Sequence, residues 1–265
     1  MIKRLLGDLL RKAGYQAVPK AILRELGLVL HLRELFQSQR IDAVFDVGAN
    51  CGQFYRLVRN HAQFKGTVLS FEPIPELHRA LSDMSRADPK WHVFPFALGV
   101  ADEKLTINVM KVDSLSSFLA PDLDYTQYFR NVNKPQRQEL VHVKRLDDIC
   151  AGLCREYSVE RPYLKLDTQG YDLNVLKGGT ASLERFVALQ TEASVLALYK
   201  DMPNWRQVID YLGGVGFELS GVFPVSTDEH MRLIEFDCIM INPTRALAVP
   251  APLGRGPQAT LGTGW

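Results

Sequence analysis

The amino-acid sequence predicts an α/β protein in which helices cover both faces of a doubly wound, mostly parallel sheet. From residue 41 onward, short apolar runs alternate with amphipathic segments, which is the pattern of βαβ units. The runs at residues 41–47 and 163–166 are almost continuously apolar, as in strands that are buried on both faces. The chain has 265 residues, 46% of them hydrophobic, and is long enough to bury one sizeable core.

The chain divides into three parts. Residues 1–40 are predicted to form an N-terminal helical extension, and residues 41–242 the α/β domain. Residues 243–265 contain closely spaced Pro and Gly turns without a periodic apolar face, and we expect this tail to be disordered.

The elements of the α/β domain follow from local patterns. Strands are predicted at residues 41–47, 67–71, 91–94, 163–166, 186–191, 217–222 and 235–241, and helices at residues 53–62, 75–86, 146–156, 173–177 and 205–212. Pro75 suits the first turn of its helix, and Gly178 with Gly179 suits a helix end. Residues 105–110 alternate apolar and polar, which predicts an extra strand, and residues 141–143 are predicted to be extended.

A long polar and aromatic stretch at residues 113–138 interrupts this pattern. Ordered insertions of this length in compact domains are usually covers or binding loops. We interpret the stretch as a cover over an acceptor site, with disorder as the alternative.

The charge balance and the cysteine content restrict the classes of partner and of metal site that are expected. Lys and Arg number 31 against 30 Asp and Glu, so the net charge of +1 gives no reason to expect a nucleic-acid partner. The four cysteines lack a CxxC pair, which is typical of reduced thiols in a cytoplasmic protein. We therefore expect no structural metal.

The N-terminus is amphipathic. Residues 1–12 place leucines on one helical stripe with Lys and Arg beside it, and no apolar run reaches the roughly 20 residues that cross a bilayer. Such a helix packs against its own domain, against the second subunit of a homodimer, or on an anionic membrane surface as a peripheral contact. Packing against protein is the favoured interpretation.

The most informative segment is DVGANCGQF at residues 46–54, where a strand turns through a loop into a helix. Gly48 and Gly52 permit tight turning and close approach of a ligand, and Asn50 tolerates a positive φ. The spacing is GxNxG, which matches neither the dinucleotide pattern GxGxxG nor a phosphate loop. The segment predicts a Rossmann-like nucleotide site without a pyrophosphate cradle.

The next strand ends at Glu72, 24 residues after Gly48. In Rossmann-like folds an acidic side chain at this point accepts hydrogen bonds from the ribose of an adenosine ligand. Together, the loop and Glu72 predict an adenosine site at the carboxyl edge of the sheet.

Several motifs in order resemble the FkbM family of methyltransferases. They are DVGANCGQF at residues 46–54, FEP at 71–73, ALG at 97–99, LKLDTQGYD at 164–172, VLKG at 175–178 and TE at 191–192. The resemblance spans roughly residues 41–242. It implies a class I methyltransferase fold, S-adenosylmethionine as cofactor, and an acceptor hydroxyl on a sugar, a glycoconjugate or a polyketide-like small molecule.

The resemblance also implies roles for particular residues. The cofactor set is Asp46, Gly48, Ala49, Asn50 and Gly52 near the methionine end, Glu72 and Pro73 near the ribose, and Phe96 and Ala97 near the adenine.

Three charged residues are candidates for catalysis. Asp167 and Glu192 end two strands that we expect to be adjacent, and Lys165 lies two residues before Asp167 on the same face of its strand. Three roles are open for them: a general base that also positions the acceptor, a site for a divalent cation, or a structural ion-pair network. We favour the first and assign no metal ligand.

Two other functions compete with methyl transfer. One is a non-catalytic adenosine-binding scaffold of the same fold, which the intact loop, Glu72 and Asp167 disfavour. The other is an NAD-dependent oxidoreductase, which the glycine spacing disfavours.

Overall fold

The computed structural model describes Leu23 and residues 25–122 and 134–248, and contains two sheets. The strands are β1 Ala43–Val47, β2 Thr67–Phe71, β3 Trp91–Phe94, β4 Ala97–Gly99, β5 Glu103–Met110, β6 Pro135–Arg145, β7 Pro162–Leu166, β8 Ala188–Ser194, β9 Glu218–Thr227 and β10 Leu233–Ile241. Seven of them form the main sheet in the order β3-β2-β1-β7-β8-β10-β9. Its first five strands are parallel, and β10 runs antiparallel to both β8 and β9.

Helices cover both faces of this sheet. They are α1 Leu26–Ser38, α2 Gln53–Asn60, α3 Pro75–Ser85, α4 Leu146–Glu156, α5 Asp172–Lys177 and α6 Trp205–Gly214. Alternate residues of a strand point to opposite faces, so side chains of β1 pack into the hydrophobic cores on both sides of the sheet. Phe45 and Val47 pack with α4, α5 and α6, whereas Val44 packs with α1, α2 and α3. The predicted doubly wound, Rossmann-like fold is confirmed.

The central strands are buried along their whole length, yet two of them carry a charged residue. Every residue of β1 and of β7 is buried, and these strands contain Asp46 and Lys165 respectively. Asp46 and Lys165 lie side by side in the register of the two strands. A buried charge needs a partner of opposite sign. This pair therefore indicates that the functional site lies in this part of the sheet.

The second sheet is larger than predicted. The strand expected at residues 105–110 is β5, but the extended segment expected at 141–143 is only the middle of the eleven-residue β6. Residues 135–138 therefore belong to a strand rather than to the predicted cover. β6 pairs with β5 and with β4, and this long-range pairing was not visible in local periodicity.

The ends of the chain are described in part. The predicted helix at residues 1–12 lies outside the described residues, and α1 is the described part of the extension. Residues 243–248, which we placed in the tail, hydrogen-bond to the domain through Arg245 and Leu247, which contact Arg161 and Gln39; residues 249–265 are not described. None of the described helices has the length and apolar character to cross a membrane.

Candidate active site

The loop after β1 packs directly onto the end of β7. Gly48 has a φ of +78°, and a Cβ at this position would overlap the backbone carbonyl oxygen of Asp167. The backbone N–H groups of Gly48 and Ala49 both donate to the Phe71 carbonyl oxygen, at 3.1 Å each. Asn50 and Gly52 also have positive φ values, of +48° and +80°, and Gly52 caps α2. The backbone of the loop is thus held tightly against the ends of β2 and β7.

Glu72 is buried against this loop. Its Oε2 accepts a hydrogen bond from the Asn50 N–H at 2.8 Å, and its Oε1 accepts one from the Ile74 N–H at 2.9 Å. Burial raises the pKa of Glu72 to about 7, although both hydrogen bonds act in the opposite direction. Each carboxylate oxygen has two lone pairs, so the side chain retains capacity to accept from a ligand. This arrangement fits a ribose-binding role.

Strand register places six residues in one row across the carboxyl edge of the main sheet. The pairs that define the row are Val47 with Phe71, Val47 with Leu166, Leu166 with Thr191, Glu192 with Asp237, and Asp237 with Phe223. In spatial order the row is Glu72, Gly48, Asp167, Glu192, Asp237 and Phe223. Neighbouring strands lie roughly 4.8 Å apart, so these five steps span about 24 Å.

A cavity of about 580 Å³ follows this row, and all six residues line it. Of the residues predicted from the sequence, those that line it are Lys165, Asp167, Glu192, Gly48, Ala49, Asn50, Glu72, Pro73 and Ala97. Asp46, Gly52 and Phe96 do not. Asp46 acts through Lys165, and Gly52 shapes the start of α2.

Phe96, which the resemblance places near the adenine, does not line the cavity. Its ring packs against Phe71 and Phe94, and the Lys144 Nζ lies 4.7 Å from its centroid. Ala97 and Leu98 line the cavity instead, because the chain has already entered β4.

Lys165 lies between two carboxylates. Its Nζ is 3.3 Å from Asp46 Oδ1 and 3.3 Å from Asp167 Oδ2. Burial lowers the pKa of Lys165, but Asp167 and Asp46 outweigh it, and the pKa lies above its ordinary value. The ammonium is therefore protonated at neutral pH, which excludes a role as base and makes Lys165 the cation that fixes Asp167.

Asp167 and Glu192 come together as expected, since β7 and β8 are neighbours. Glu192 lies within β8 rather than at its end, because β8 continues to Ser194. The side chain of Asp167 is 40% exposed, and Glu192 is half-buried. Burial, followed by the charges of Asp167, Glu235 and Asp237, raises the pKa of Glu192 well above its usual range.

Sequence analysis missed two members of the row, Asp237 and Phe223. Asp237 accepts a hydrogen bond from Gln190 Nε2 at 2.8 Å, and burial raises its pKa to about 6. The sequence did contain a signal for Asp237, because it is an acidic residue inside an apolar strand, as Asp46 is in β1. Phe223 had none, because its place beside Asp237 depends on how β9 pairs with β10.

No group of three or more His, Cys, Asp or Glu suited to a metal ion occurs within residues 25–122 and 134–248. A divalent cation at Asp167 and Glu192, the alternative to a general base, is not tested by this.

Comparison with known proteins agrees with the resemblance in the sequence. The family model of the methyltransferase FkbM domain matches residues 46–219. No curated protein matches the chain significantly.

Three solved structures illustrate what the fold is similar to. An FkbM methyltransferase from Methylobacillus flagellatus KT is 13% identical, with 90% of this chain and 70% of that chain covered and a TM-score of 0.47. The human methyltransferase 10 domain containing protein is 14% identical, with 91% and 96% covered and a TM-score of 0.43. Aeropyrum pernix fibrillarin, solved with natively bound S-adenosyl-L-methionine, is 10% identical, with 76% and 66% covered and a TM-score of 0.42. Because the FkbM match spans more than half of the sequence, this chain belongs to the FkbM family of methyltransferases.

Proposed function

We propose that the protein transfers the methyl group of S-adenosylmethionine to a hydroxyl group of a sugar, a glycoconjugate or a polyketide-like small molecule. Family membership supports methyl transfer from this cofactor. The observation that supports a hydroxyl acceptor is the row of six residues across the carboxyl edge of the main sheet. One cavity leads from the glycine loop and Glu72 to the carboxyl groups of Asp167 and Glu192.

The first half of the row fits the cofactor. Gly48, Ala49 and Asn50 line the cavity, and Glu72 retains lone pairs for ribose hydroxyls. Ala97 and Leu98 supply an apolar surface for the adenine. When bound, the cofactor would supply an electrophilic methyl group, whose bond to the sulfonium sulfur breaks as the neutral thioether S-adenosylhomocysteine leaves.

The second half of the row fits the acceptor. Methyl transfer depends mainly on holding the attacking oxygen in line with the methyl group, so the main task of these residues is orientation. Lys165 and Gln169 each hold one oxygen of the Asp167 carboxylate, which leaves the half-exposed carboxylate facing the cavity. Asp167 accepts a hydrogen bond from the acceptor hydroxyl and takes its proton as the new C–O bond forms.

Titration calorimetry with S-adenosylhomocysteine, in EDTA, tests the cofactor half. Wild type is expected to bind it and not NAD, and Glu72→Gln to bind it about tenfold more weakly, since a hydrogen bond to a charged group is lost. Glu235→Gln is the matched control. Glu235 is also buried with a pKa of about 7, but it contacts Ser194 and Ser226 outside the cavity, so binding should match wild type.

Methyl transfer to a panel of glycosides with free hydroxyls tests the acceptor half. Turnover in wild type that Asp167→Asn loses, with binding of S-adenosylhomocysteine retained, supports the proposal. Binding without turnover on any hydroxyl acceptor would instead identify a non-catalytic scaffold or another acceptor class. Turnover that requires added Mg²⁺ and stops in EDTA would indicate that Asp167 and Glu192 hold a divalent cation and that Asp167 is not a general base.

A further inference from the structure

The carboxamide of Gln169 lies between the two candidate catalytic carboxyl groups. Its Nε2 is 3.0 Å from Asp167 Oδ1 and 3.1 Å from Glu192 Oε2. A side-chain amide carries two N–H donors, so one Gln169 serves both carboxyl groups at once. In the described part of the chain, this is the hydrogen bond that the Glu192 carboxyl receives.

The other end of the same carboxamide faces Tyr199. The Tyr199 hydroxyl lies 3.0 Å from Gln169 Oε1 and 2.8 Å from the Leu115 carbonyl oxygen, and its single proton is shared between these two acceptors. This contact fixes which way the amide points. The reversed amide would turn its oxygen toward two carboxyl groups and would leave Glu192 without its donor, whereas Asp167 would keep Lys165.

A third contact links the Gln169 backbone to the described part of the predicted cover. Ser117 Oγ donates to the Gln169 carbonyl oxygen at 2.7 Å. Leu115, which receives the Tyr199 hydroxyl, and Ser117 both belong to residues 113–122, the part that the structure describes. Ser117 and Phe118 line the cavity. Gln169 therefore contacts the cover and the carboxyl groups at the same time.

The backbone at Gln169 is strained. Its φ is +52°, in the left-handed region that glycine adopts more easily, and the next residue is Gly170 with a φ of +88°. Non-glycine residues persist in this region where surrounding contacts hold them, and they cluster at functional sites. The contacts of Gln169 with Asp167, Glu192 and Ser117 are of this kind.

We propose that Gln169 is a positioning residue, which holds Asp167 and Glu192 in their orientation toward the acceptor and couples that orientation to the cover. The inference rests on the proposed function, because it concerns the carboxyl groups that receive the acceptor hydroxyl. Gln169 itself exchanges no proton.

In the described part of the chain, charged and titratable groups from several elements surround Glu192. They are Asp167 and Lys165 on the β7 side, Asp172 on α5, Tyr199 after β8, and Glu235 and Asp237 on β10. All of the neighbouring carboxyl groups raise the pKa of Glu192. The Gln169 hydrogen bond opposes them, because it favours the ionised form.

The first test replaces Gln169 with Gly, which relieves the left-handed strain while removing the carboxamide. We expect kcat for the glycoside that wild type methylates to fall about tenfold or more, because the hydrogen bonds that orient the two carboxyl groups are lost. The Kd for S-adenosylhomocysteine and the Tm should change little. Unchanged kcat, or a joint loss of binding, Tm and kcat, would show that Gln169 has only a structural role.

Two further variants separate positioning from packing. Gln169→Asn tolerates the positive φ, but its shorter carboxamide reaches one carboxyl group at most, so kcat should lie between wild type and Gln169→Gly. Tyr199→Phe removes the hydroxyl that orients the amide, and it should lower kcat without changing the Kd for S-adenosylhomocysteine. Wild-type kcat in both variants contradicts the proposal.

The last test needs no acceptor. In protein labelled with ¹³C at Glu carboxyl groups, the Glu192 signal is assigned by its loss in Glu192→Gln and is titrated by NMR. Gln169→Gly should move its midpoint upward, and an unchanged midpoint overturns the inference. If wild type methylates no hydroxyl acceptor, the proposed function is wrong. The titration still decides in that case whether Gln169 positions Asp167 and Glu192.

Discussion

Glu192 and Asp237 lie directly opposite each other on the neighbouring antiparallel strands β8 and β10, and both side chains line the cavity. Like charges in this arrangement destabilise a sheet. Each carboxyl group has one carboxamide donor, Gln169 for Glu192 and Gln190 for Asp237. Burial raises both pKa values, that of Asp237 to about 6. The folded protein therefore holds protons here more tightly than the unfolded chain.

We predict that this pair makes stability fall as the pH rises. The pKa of Asp237 is about 6 in the folded state and about 4 in an unfolded chain, so the folded state binds more protons between these values. The stabilisation is present below about pH 4 and is lost as the pH passes 6. Asp237→Asn keeps an acceptor for Gln190 and should flatten this slope, with a gain of at most about 3 kcal/mol above pH 7.

Urea denaturation of wild type and Asp237→Asn from pH 4 to 8 measures this difference. Asp210→Asn, at an exposed aspartate on α6, is the control and should follow the wild-type curve. Parallel curves for wild type and Asp237→Asn would contradict the prediction.

The ion pair of Lys165 and Asp46 makes a second prediction. Asp46 is 0% exposed, so Lys165→Met leaves a buried carboxylate without its cation. Loss of one partner of a buried pair costs about 3–5 kcal/mol, whereas replacing both by apolar residues often costs little. Lys165→Met should therefore unfold at much lower urea, and Asp46→Leu with Lys165→Met should recover most of the loss. Additive losses in this cycle would mean that the pair is not coupled.

A third prediction concerns the contact between the glycine loop and β7. Gly48 and Gly216 both have a positive φ, of +78° and +91°, but a Cβ would overlap the Asp167 carbonyl oxygen at the first and meet open space at the second. Gly216→Ala should cost only the left-handed strain, about 1–2 kcal/mol. Gly48→Ala should cost clearly more, because Asp167 must move. Thermal unfolding compares the two, and equal Tm losses would refute the close contact.

The pKa of Glu72 makes a fourth prediction, on cofactor affinity. This carboxyl titrates at about 7, and ribose hydroxyls donate more strongly to its ionised form. Affinity for S-adenosylhomocysteine should therefore rise as the pH increases from 6 to 8, and Glu72→Gln should remove this dependence. Calorimetry at three pH values measures it. A wild-type affinity that is flat, or that falls with pH, would argue against Glu72 as the ribose ligand.

Sequence alone determined the features that depend on neighbouring residues. The alternation of strands and helices predicted the sheet, and the GxNxG loop followed by Glu72 predicted where an adenosine ligand would lie. Lys165 and Asp167 were placed on one face because successive strand residues alternate between faces. The register of β1 with β7 then showed that Asp46 is the buried partner of Lys165.

Tertiary structure decided what depends on residues far apart in the chain. Asp237 and Phe223 join the row because β10 lies between β8 and β9, and no local pattern encodes that pairing. The same holds for Gln169, whose contacts with Glu192, Tyr199 and Ser117 connect segments separated by 23, 30 and 52 residues. Periodicity shows which face a side chain is on, whereas strand order and register determine which side chains meet there.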